Sequence, residues 1–327
     1  MGYIYDMKVR ILINRCARAI RLERIKLKVF NRFLSERVDL RTTGSVDEID
    51  DAVRACWDDD VELVLLTTGD GGLHRFLSSF VNTYRTLRRA DGSTKSLPLF
   101  ATLRSGTANL MTGVLGGRGR PQRAIERLFA LLEQVRQSDE LPRIRQKLLA
   151  VSDGIQQRFG FMTGSGGVYN FFLEYYQGTR YNLFKFLKIL SRSFMSLLSG
   201  GGYLDRLLSG VNARLNLDEQ LARLSHWKVL VVSAIDARVV FFRAFRAGRD
   251  PEQVHIKAGS PSRLAIIRNL PNVLFNRAWK GRRLLDQIVR RVQFEAEREF
   301  GYTIDGELYR ARTLEISAGP VVEFLRF

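Results

Sequence analysis

The segment Thr67-Thr68-Gly69-Asp70-Gly71-Gly72-Leu73-His74 joins a strand-like pattern to a helical pattern. Residues 61–66 before it are mostly aliphatic, and the apolar residues after it recur every three or four positions as far as residue 84. The pattern predicts a strand, a glycine-rich turn with one carboxylate, and a helix start. Such a turn brings backbone N–H groups close to a phosphate. Gly-Asp-Gly-Gly is also ordinary turn chemistry, so this segment alone does not establish a site.

A second small-residue turn follows another predicted strand. Residues 97–103 have a strand pattern, and residues 104–110, Arg-Ser-Gly-Thr-Ala-Asn-Leu, lead into a helix-like run. Two phosphate-compatible turns after neighbouring strands indicate the carboxyl edge of an α/β sheet, which is where such sheets bind ligands. The alternative is a pair of unrelated connecting loops.

Together, four motifs resemble the diacylglycerol kinase catalytic-domain family of lipid kinases, which is related to sphingosine kinases and more distantly to NAD kinases. Asn14 fits the turn after the family's first strand, and residues 68–75 fit its Gly-Gly-Asp-Gly-Thr-Leu-Asn-Glu segment. Residues 106–109 fit its Gly-Thr-Gly/Ala-Asn turn, and residues 305–307 fit its Asp-Gly-Glu. The order and spacing of the motifs cover nearly the whole chain.

The chain also departs from the family's pattern. Gly72 stands where most of the family has Thr, although sphingosine kinases also differ there, and His74 and Arg75 replace the usual Asn and Glu. The first turn, residues 14–18, lacks the family's proline and glycine. These departures leave nucleotide affinity and metal use open, and they keep an inactive homologue as an alternative.

The resemblance implies an ATP-dependent, Mg²⁺-using kinase that phosphorylates a hydroxyl of a membrane lipid. The implied nucleotide-binding residues are Asn14, Thr68, Gly69, Gly71, Gly72, Gly106, Thr107 and Asn109. The implied catalytic residues are Asp70, Asp305 and Glu307, and the last two are also the implied metal ligands. Considered alone, Asp305-Gly306 is the usual signal of a hairpin turn.

The lipid substrate is expected to resemble diacylglycerol. Residues 163–169 resemble the segment that lines the family's acceptor site. Val168 stands where the family usually has an Asp, and in sphingosine kinases an Asp near this position faces the substrate amine, which disfavours a sphingoid base without excluding one. NAD kinase activity is disfavoured by the lipid-like segment at residues 181–198. A further alternative is a catalytically decayed homologue that binds membranes or nucleic acid.

The expected fold class is α/β, with an N-terminal nucleotide-binding domain, a C-terminal β-sandwich domain and an active-site cleft between them. The first domain is placed at residues 1–140, and residues 312–327 are a candidate return to it. The lipid-substrate domain is placed at residues 141–311, with an amphipathic helical insertion at about 177–224. Strands are expected at residues 9–13, 61–67 and 97–103, with a basic helix between the first two, and a helix is expected at 122–137. Strands are also expected at residues 147–152, 158–162, 229–235, 239–245, 264–267 and 292–296.

The net charge of +18 predicts a polyanionic partner. An anionic membrane surface is favoured over nucleic acid, because no RNA-recognition, zinc-finger or helix-turn-helix signature accompanies the charge. A merely solvated basic surface is the alternative. Residues 181–198 predict an amphipathic helix with Leu183, Leu187, Leu190, Phe194 and Leu197 on one stripe and Lys185, Lys188 and Arg192 on another face. Three cations argue against a transmembrane span, so the helix either lies in a membrane interface or packs on the core.

The remaining signals concern compartment and chemistry. Two cysteines and an N-terminus too charged for a signal peptide predict a cytoplasmic protein, peripheral at the inner membrane surface. Three dispersed histidines disfavour a zinc site, and no P-loop motif is present. The sequence leaves open which lipid is phosphorylated, the pathway, and whether the protein is a monomer or a dimer.

Overall fold

The computed structural model describes most of the chain in two compact units. The described residues are 7–17, 20, 25, 28–106, 111, 115, 119, 121–134, 141–178, 183–235, 238–239, 242–243, 245, 250–274 and 277–327. The N-terminal unit comprises Met1–Gln146 and Val321–Phe327, and the C-terminal unit comprises Lys147–Pro320.

The N-terminal unit is an α/β unit built on parallel strands. The strands are β1 (Val9–Asn14), β2 (Val38–Thr43), β3 (Leu63–Thr68) and β4 (Leu99–Arg104). They lie in the order 2-1-3-4, and the end of the last strand of the chain pairs with β4 through Phe324 and Phe100. The helices are α1 (Lys28–Asn31), α2 (Val46–Asp58), α3 (Asp70–Thr86) and α4 (Pro121–Gln134).

Apolar residues of β3 and helix α4 lie in the core of this unit. β3 is buried along its whole length, as expected for a parallel strand covered on both faces. Helix α4 starts at Pro121, a residue whose fixed φ suits a first helical position. It packs Ile125, Leu128 and Phe129 into a core cluster shared with β1, β3 and β4.

The segment between β1 and β3 differs from the sequence prediction of a single basic helix. Among the described residues it holds the four-residue α1, then β2 and α2, which the prediction missed. Helix α2 begins with a capping box: the Glu48 N–H donates to Ser45 Oγ at 3.2 Å, and Glu48 Oε2 accepts from the Gly44 N–H at 2.8 Å. The sequence Ser45-Val46-Asp47-Glu48 carries that signal.

The C-terminal unit is rich in antiparallel strands. Six of the strands before its last helix have four or more residues: β5 (Arg143–Ser152), β6 (Gln157–Gly160), β7 (Met162–Gly166), β9 (Arg214–Leu217), β12 (Val229–Ser233) and β15 (Val254–Gly259). Five others have only two residues: β8 (Val211–Asn212), β10 (Gln220–Leu221), β11 (His226–Trp227), β13 (Arg238–Val239) and β14 (Phe242–Arg243). The chain ends with β16 (Leu284–Val289), β17 (Arg291–Ile304) and β18 (Glu307–Leu325).

The antiparallel pairing runs in the order β16-β15-β12-β7-β17-β18. β17 pairs with β9 through residues 292–295 and with β7 through residues 302–304, and its register against β18 shifts between Glu295 and Phe300. The helices are α5 (Gly167–Tyr176), α6 (Leu183–Ser199), α7 (Gly202–Leu207) and α8 (Arg263–Leu274). The predicted fold class, an α/β unit followed by a β-rich unit, is confirmed.

Two details of the C-terminal unit correct the sequence predictions. Residues 264–267 belong to helix α8 and not to a strand. A short apolar run does not by itself distinguish the two, and here Ser262 caps the helix by accepting from the Ala265 N–H at 3.2 Å. Residues 239–245 include part of the short β13–β14 hairpin rather than one strand. The chain passes between the units inside β5 and β18, after residues 146 and 320, whereas the prediction placed the changes at 140 and 311.

Candidate nucleotide site

The carboxyl ends of the parallel strands align four polar residues. The pairing register sets Asn14 level with Thr43, and Thr68 level with Arg104. Asn14 Nδ2 donates to Thr68 Oγ1 at 3.3 Å, which joins the two pairs across β1 and β3. Because residues level in a sheet share a face, the four form one polar row at this edge.

The two predicted glycine turns touch each other at the same edge. A β-carbon on Gly69 would lie 3.0 Å from Gly106 Cα, tighter than nearly all real contacts of this kind. Gly69 is the N-cap of α3, and Asp70 is the first helical residue. The backbone N–H groups that open α3 therefore lie beside the turn that follows β4, as the parallel arrangement of the strands requires.

Buried polar atoms without partners cluster here. A buried group left unpaired costs about 1–3 kcal/mol, so each such group needs an explanation. Within the described part of the chain, five side-chain atoms at the ends of β2, β3 and β4 have no hydrogen-bond partner: Thr43 Oγ1, Thr67 Oγ1, Thr102 Oγ1, Arg104 Nε and Ser105 Oγ. Hydroxyl and guanidinium groups in this setting fit a polar, anionic ligand at the edge.

Asp70 contributes the carboxylate nearest to the glycine turns. Its Oδ1 accepts a hydrogen bond from the Met111 N–H at 3.1 Å, and the residue is half-buried. Its position at the start of a 17-residue helix stabilises the negative charge through the helix dipole. Residues Thr107 and Asn109, which were also predicted to bind nucleotide, lie outside the described residues.

The first turn is held together without the family's proline and glycine. Asn14 Oδ1 accepts from the Cys16 N–H at 2.8 Å, which closes an Asx-type turn. Arg15 lies over Gly44 and forms an ion pair with Glu48 at 3.0 Å. The Asn14 side chain thus accepts a hydrogen bond within its own turn through Oδ1 and donates one to Thr68 through Nδ2.

The position of the Thr68 side chain explains why residue 72 is a glycine. A β-carbon on Gly72 would lie 1.9 Å from Thr68 Oγ1 and 2.7 Å from Asn14 Nδ2. Both distances are too short for real atoms, so the Thr68 hydroxyl fills the space that a side chain at position 72 would enter. Its neighbour His74 is buried in α3, which indicates packing rather than ligand contact.

Asp305 lies in the C-terminal unit, in the predicted hairpin turn. Asp305 and Gly306 connect β17 to β18 with φ values of 49° and 93°, which is the geometry of a type I′ turn, so the hairpin is confirmed. The Asp305 carboxylate accepts the N–H groups of Phe161 and Met162, with shortest distances of 2.9 Å to each. It therefore fastens the hairpin to the β6–β7 connection. Glu307 opens β18 and is half-buried.

The candidate carboxylates suit a metal ion that binds only one or two protein side chains. Among the described residues, no group of three or more His, Cys, Asp or Glu side chains is placed to hold a metal ion. Mg²⁺ needs no such group in phosphate sites, because it keeps waters and takes phosphate oxygens with one or two carboxylates. Asp70 in the N-terminal unit, and Asp305 with Glu307 in the C-terminal unit, are the candidate carboxylates.

A cavity of about 1260 Å³ lies within the C-terminal unit. Gly166 and Tyr169, from the segment predicted to line the acceptor site, are among its lining residues, as are Leu173 and Phe300. It is somewhat larger than the usual small-molecule pocket of about 300–1,000 Å³. Its lining also includes several charged residues, namely Arg214, Glu295, Glu297, Arg298, Glu299 and Arg310.

Among known proteins, this chain matches solved structures but no family model or curated protein. No protein-family model matches the chain, and no curated protein matches it. A candidate diacylglycerol kinase from Bacillus anthracis strain Sterne superposes with a TM-score of 0.63 at 14% identity, over 98% of this chain and 97% of that chain. A diacylglycerol kinase from the same strain gives 0.60 at 13%, and a second candidate gives 0.59 at 14%, with the same coverage. The chain has the fold of these diacylglycerol kinases, as its four motifs predicted.

Proposed function

We propose that the protein is an ATP-dependent lipid kinase that phosphorylates a hydroxyl of a diacylglycerol-like lipid. The observation that carries the proposal is the edge of the parallel sheet, where two glycine turns touch and buried polar atoms lack partners. A nucleotide's phosphates would supply partners to those on the face of Thr43 and Arg104, whereas Thr67, next to Thr68 in β3, points to the opposite face. The shared fold with diacylglycerol kinases supports a lipid as the acceptor.

Each polar group at the edge has a role in this proposal. The N–H groups that open α3, with those of the Gly106 turn, would bind phosphate oxygens, because a helix N-terminus favours anions. Asn14 and Thr68 would orient the nucleotide, and Arg104 would stabilise negative charge on the transferred group. Phosphoryl transfer depends mostly on such positioning and charge stabilisation.

The acceptor hydroxyl needs a group that takes its proton. Asp70 is one candidate, and Asp305 with Glu307 beside it is the other. A divalent cation, held by phosphates and one or two of these carboxylates, would supply further neutralisation of charge in the transition state. The two described cysteines are free, which agrees with the reducing compartment that ATP-dependent metabolism occupies.

Nucleotide binding separates this proposal from the decayed homologue. A ligand that binds only the native state raises stability by about 2.7 kcal/mol at a hundred times its Kd. ATP with Mg²⁺ should therefore raise the Tm of the parent protein. Gly69→Ala should reduce the rise, because its β-carbon would press on Gly106 Cα at 3.0 Å. Gly202→Ala is the matched control, since a β-carbon there meets nothing within 4 Å. No Tm rise in the parent would favour the decayed homologue.

A further inference from the structure

Helix α6 exposes a broad apolar face. Phe184 is 76% exposed and Met195 is 62% exposed, and the other exposed apolar residues of the helix are Leu187, Leu190, Phe194 and Leu198. These positions repeat every three or four residues, so they form one continuous stripe along the helix. Of the five residues predicted to share one stripe, Leu187, Leu190 and Phe194 are exposed, Leu197 is buried, and the side chain of Leu183 lies outside the described residues.

The unit's own core uses a different face of the same helix. Ile189 is buried in a cluster with Tyr175 and Leu207, and Phe186 packs against that cluster. Helix α6 is therefore apolar on two faces, and the core covers only one of them. Contiguous exposed apolar patches on soluble proteins commonly mark interaction sites.

Helix α8 extends this surface. Its start is tied to the chain just after α6, because Arg263 donates to the carbonyl of Gly201, the residue before α7, at 2.8 Å and pairs with Asp205 of α7. Leu264 and Ile267 are exposed one turn apart on α8. We call the exposed apolar residues of both helices the α6–α8 face.

The charge around the α6–α8 face has one sign. Residues 175–204 and 253–285 contain no Asp or Glu, although the chain has 34 acidic residues in 327. Among the described residues of these two segments, the exposed cations are Lys188, Arg192, Arg268, Arg277, Lys280, Arg282 and Arg283. The two acids that flank the first segment in sequence are paired: Asp205 with Arg263, and Glu174 with Arg192 at 3.8 Å and with the Tyr203 hydroxyl at 2.7 Å. The face thus combines bulky apolar groups with a basic rim, which these two segments supply.

We propose that the α6–α8 face docks on an anionic bilayer, with α6 lying in the interface between head groups and acyl chains. Aromatic and aliphatic side chains would enter that interface, while the basic rim contacts lipid phosphates. A second copy of this chain is a poorer occupant, because its own acid-free rim would face this one and the like charges would repel. No helix among the described residues is long and apolar enough to cross a bilayer. The proposal does not depend on kinase activity.

Vesicle sedimentation tests the proposal with the full chain. The vesicles are phosphatidylcholine alone and phosphatidylcholine mixed with phosphatidylglycerol, each at low and high salt. The parent should bind the mixed vesicles, and salt should weaken the binding through screening. Equal binding to the two compositions would overturn the electrostatic part of the proposal.

Variants then locate the surface. The double variant Phe184→Gln, Met195→Gln should lower the partition coefficient by about tenfold or more, since two large apolar groups lose their burial. Both residues are exposed, so the fold should tolerate the change. Ile155→Gln is the matched control, because Ile155 is 91% exposed on the β5–β6 turn, and it should bind as the parent does. Parent-like binding of the double variant would overturn the proposal. So would a parent dimer that the double variant converts to monomer with vesicle binding unchanged.

Discussion

Thr68 and Gly72 share a single space at the start of α3, with Thr68 Oγ1 1.9 Å from the point where a β-carbon on Gly72 would sit. In the family motif that residues 68–72 resemble, the glycine and the threonine stand the other way round. The hydroxyl therefore reaches nearly the same place from position 68 instead of position 72. We infer that Thr68 compensates for the missing threonine at position 72, so that Gly72 does not indicate a loss of activity.

Exchanging the two residues tests that inference. Gly72→Thr alone should destabilise the N-terminal unit by about 1–3 kcal/mol, the usual cost of overpacking. It should also weaken nucleotide binding, because the new side chain meets Asn14 Nδ2 as well. Adding Thr68→Gly should recover most of the loss. Urea unfolding and the ATP-dependent Tm rise are the measurements. A Gly72→Thr protein as stable as the parent, or a double variant no better than the single, would contradict the exchange.

Asp305 should have both a structural and a catalytic role. Asp305→Ala removes the acceptor of the Phe161 and Met162 N–H groups, so the free energy of unfolding should fall by about 1–3 kcal/mol. Asp305→Asn keeps one acceptor oxygen and should lose less stability. If the carboxylate also serves the reaction, both variants should lower kcat strongly.

Combining Asp305→Ala with Asp70→Asn separates the two roles. Residues that act as a unit give losses in kcat that are far from additive. The double variant should then cost much less than the sum of the single effects. Additive losses in kcat, or full activity in Asp305→Asn, would leave Asp305 with only its role in the hairpin.

An acid-dependent loss of stability is expected from Asp153. Burial alone would raise the pKa of its carboxyl, but the Gln156 and Ile155 N–H groups and the Arg158 guanidinium, at 2.5 Å, together lower that pKa to about 2. A carboxyl with a depressed folded-state pKa stabilises the fold above its unfolded pKa of about 3.9 and loses that contribution as the pH falls. The stability of the C-terminal unit should therefore drop between about pH 4 and pH 2.

The variant Asp153→Asn should lack this carboxylate's share of the acid-dependent change. At neutral pH it should be less stable than the parent, because Arg158 loses its charged partner and Tyr302 Oη, at 3.2 Å from Asp153 Oδ2, loses part of its network. Urea unfolding of both proteins across this pH range is the measurement. A constant difference in stability between parent and variant from pH 7 to pH 2 would contradict the assignment.

Local sequence patterns predicted the segment that carries Asp70, whereas the elements that were missed depend on tertiary packing. The β3–turn–α3 segment was predictable because its strand, glycine and helix signals all lie within residues 61–84. The contact of Gly69 with Gly106 follows from the rule that turns after parallel strands share one edge. β2 was missed because only two of its six residues, Val38 and Leu40, are aliphatic, so its hydrophobic pattern is weak. The exposure of one apolar face of α6 depends on which neighbours cover it, and no pattern within the helix determines that.

Transfer of labelled phosphate from ATP to diacylglycerol in mixed micelles, with Mg²⁺, tests the proposed activity most directly. Asp70→Asn keeps the size of the side chain and removes its charge beside the glycine turns, and Asp51→Asn changes an exposed carboxylate on α2 as the control. The account predicts labelled phosphatidate from the parent and from Asp51→Asn, and a loss of kcat in Asp70→Asn well beyond tenfold, or ~1.4 kcal/mol. Unlabelled lipid from a folded parent that binds ATP, or an Asp70→Asn protein within tenfold of the parent, would contradict it.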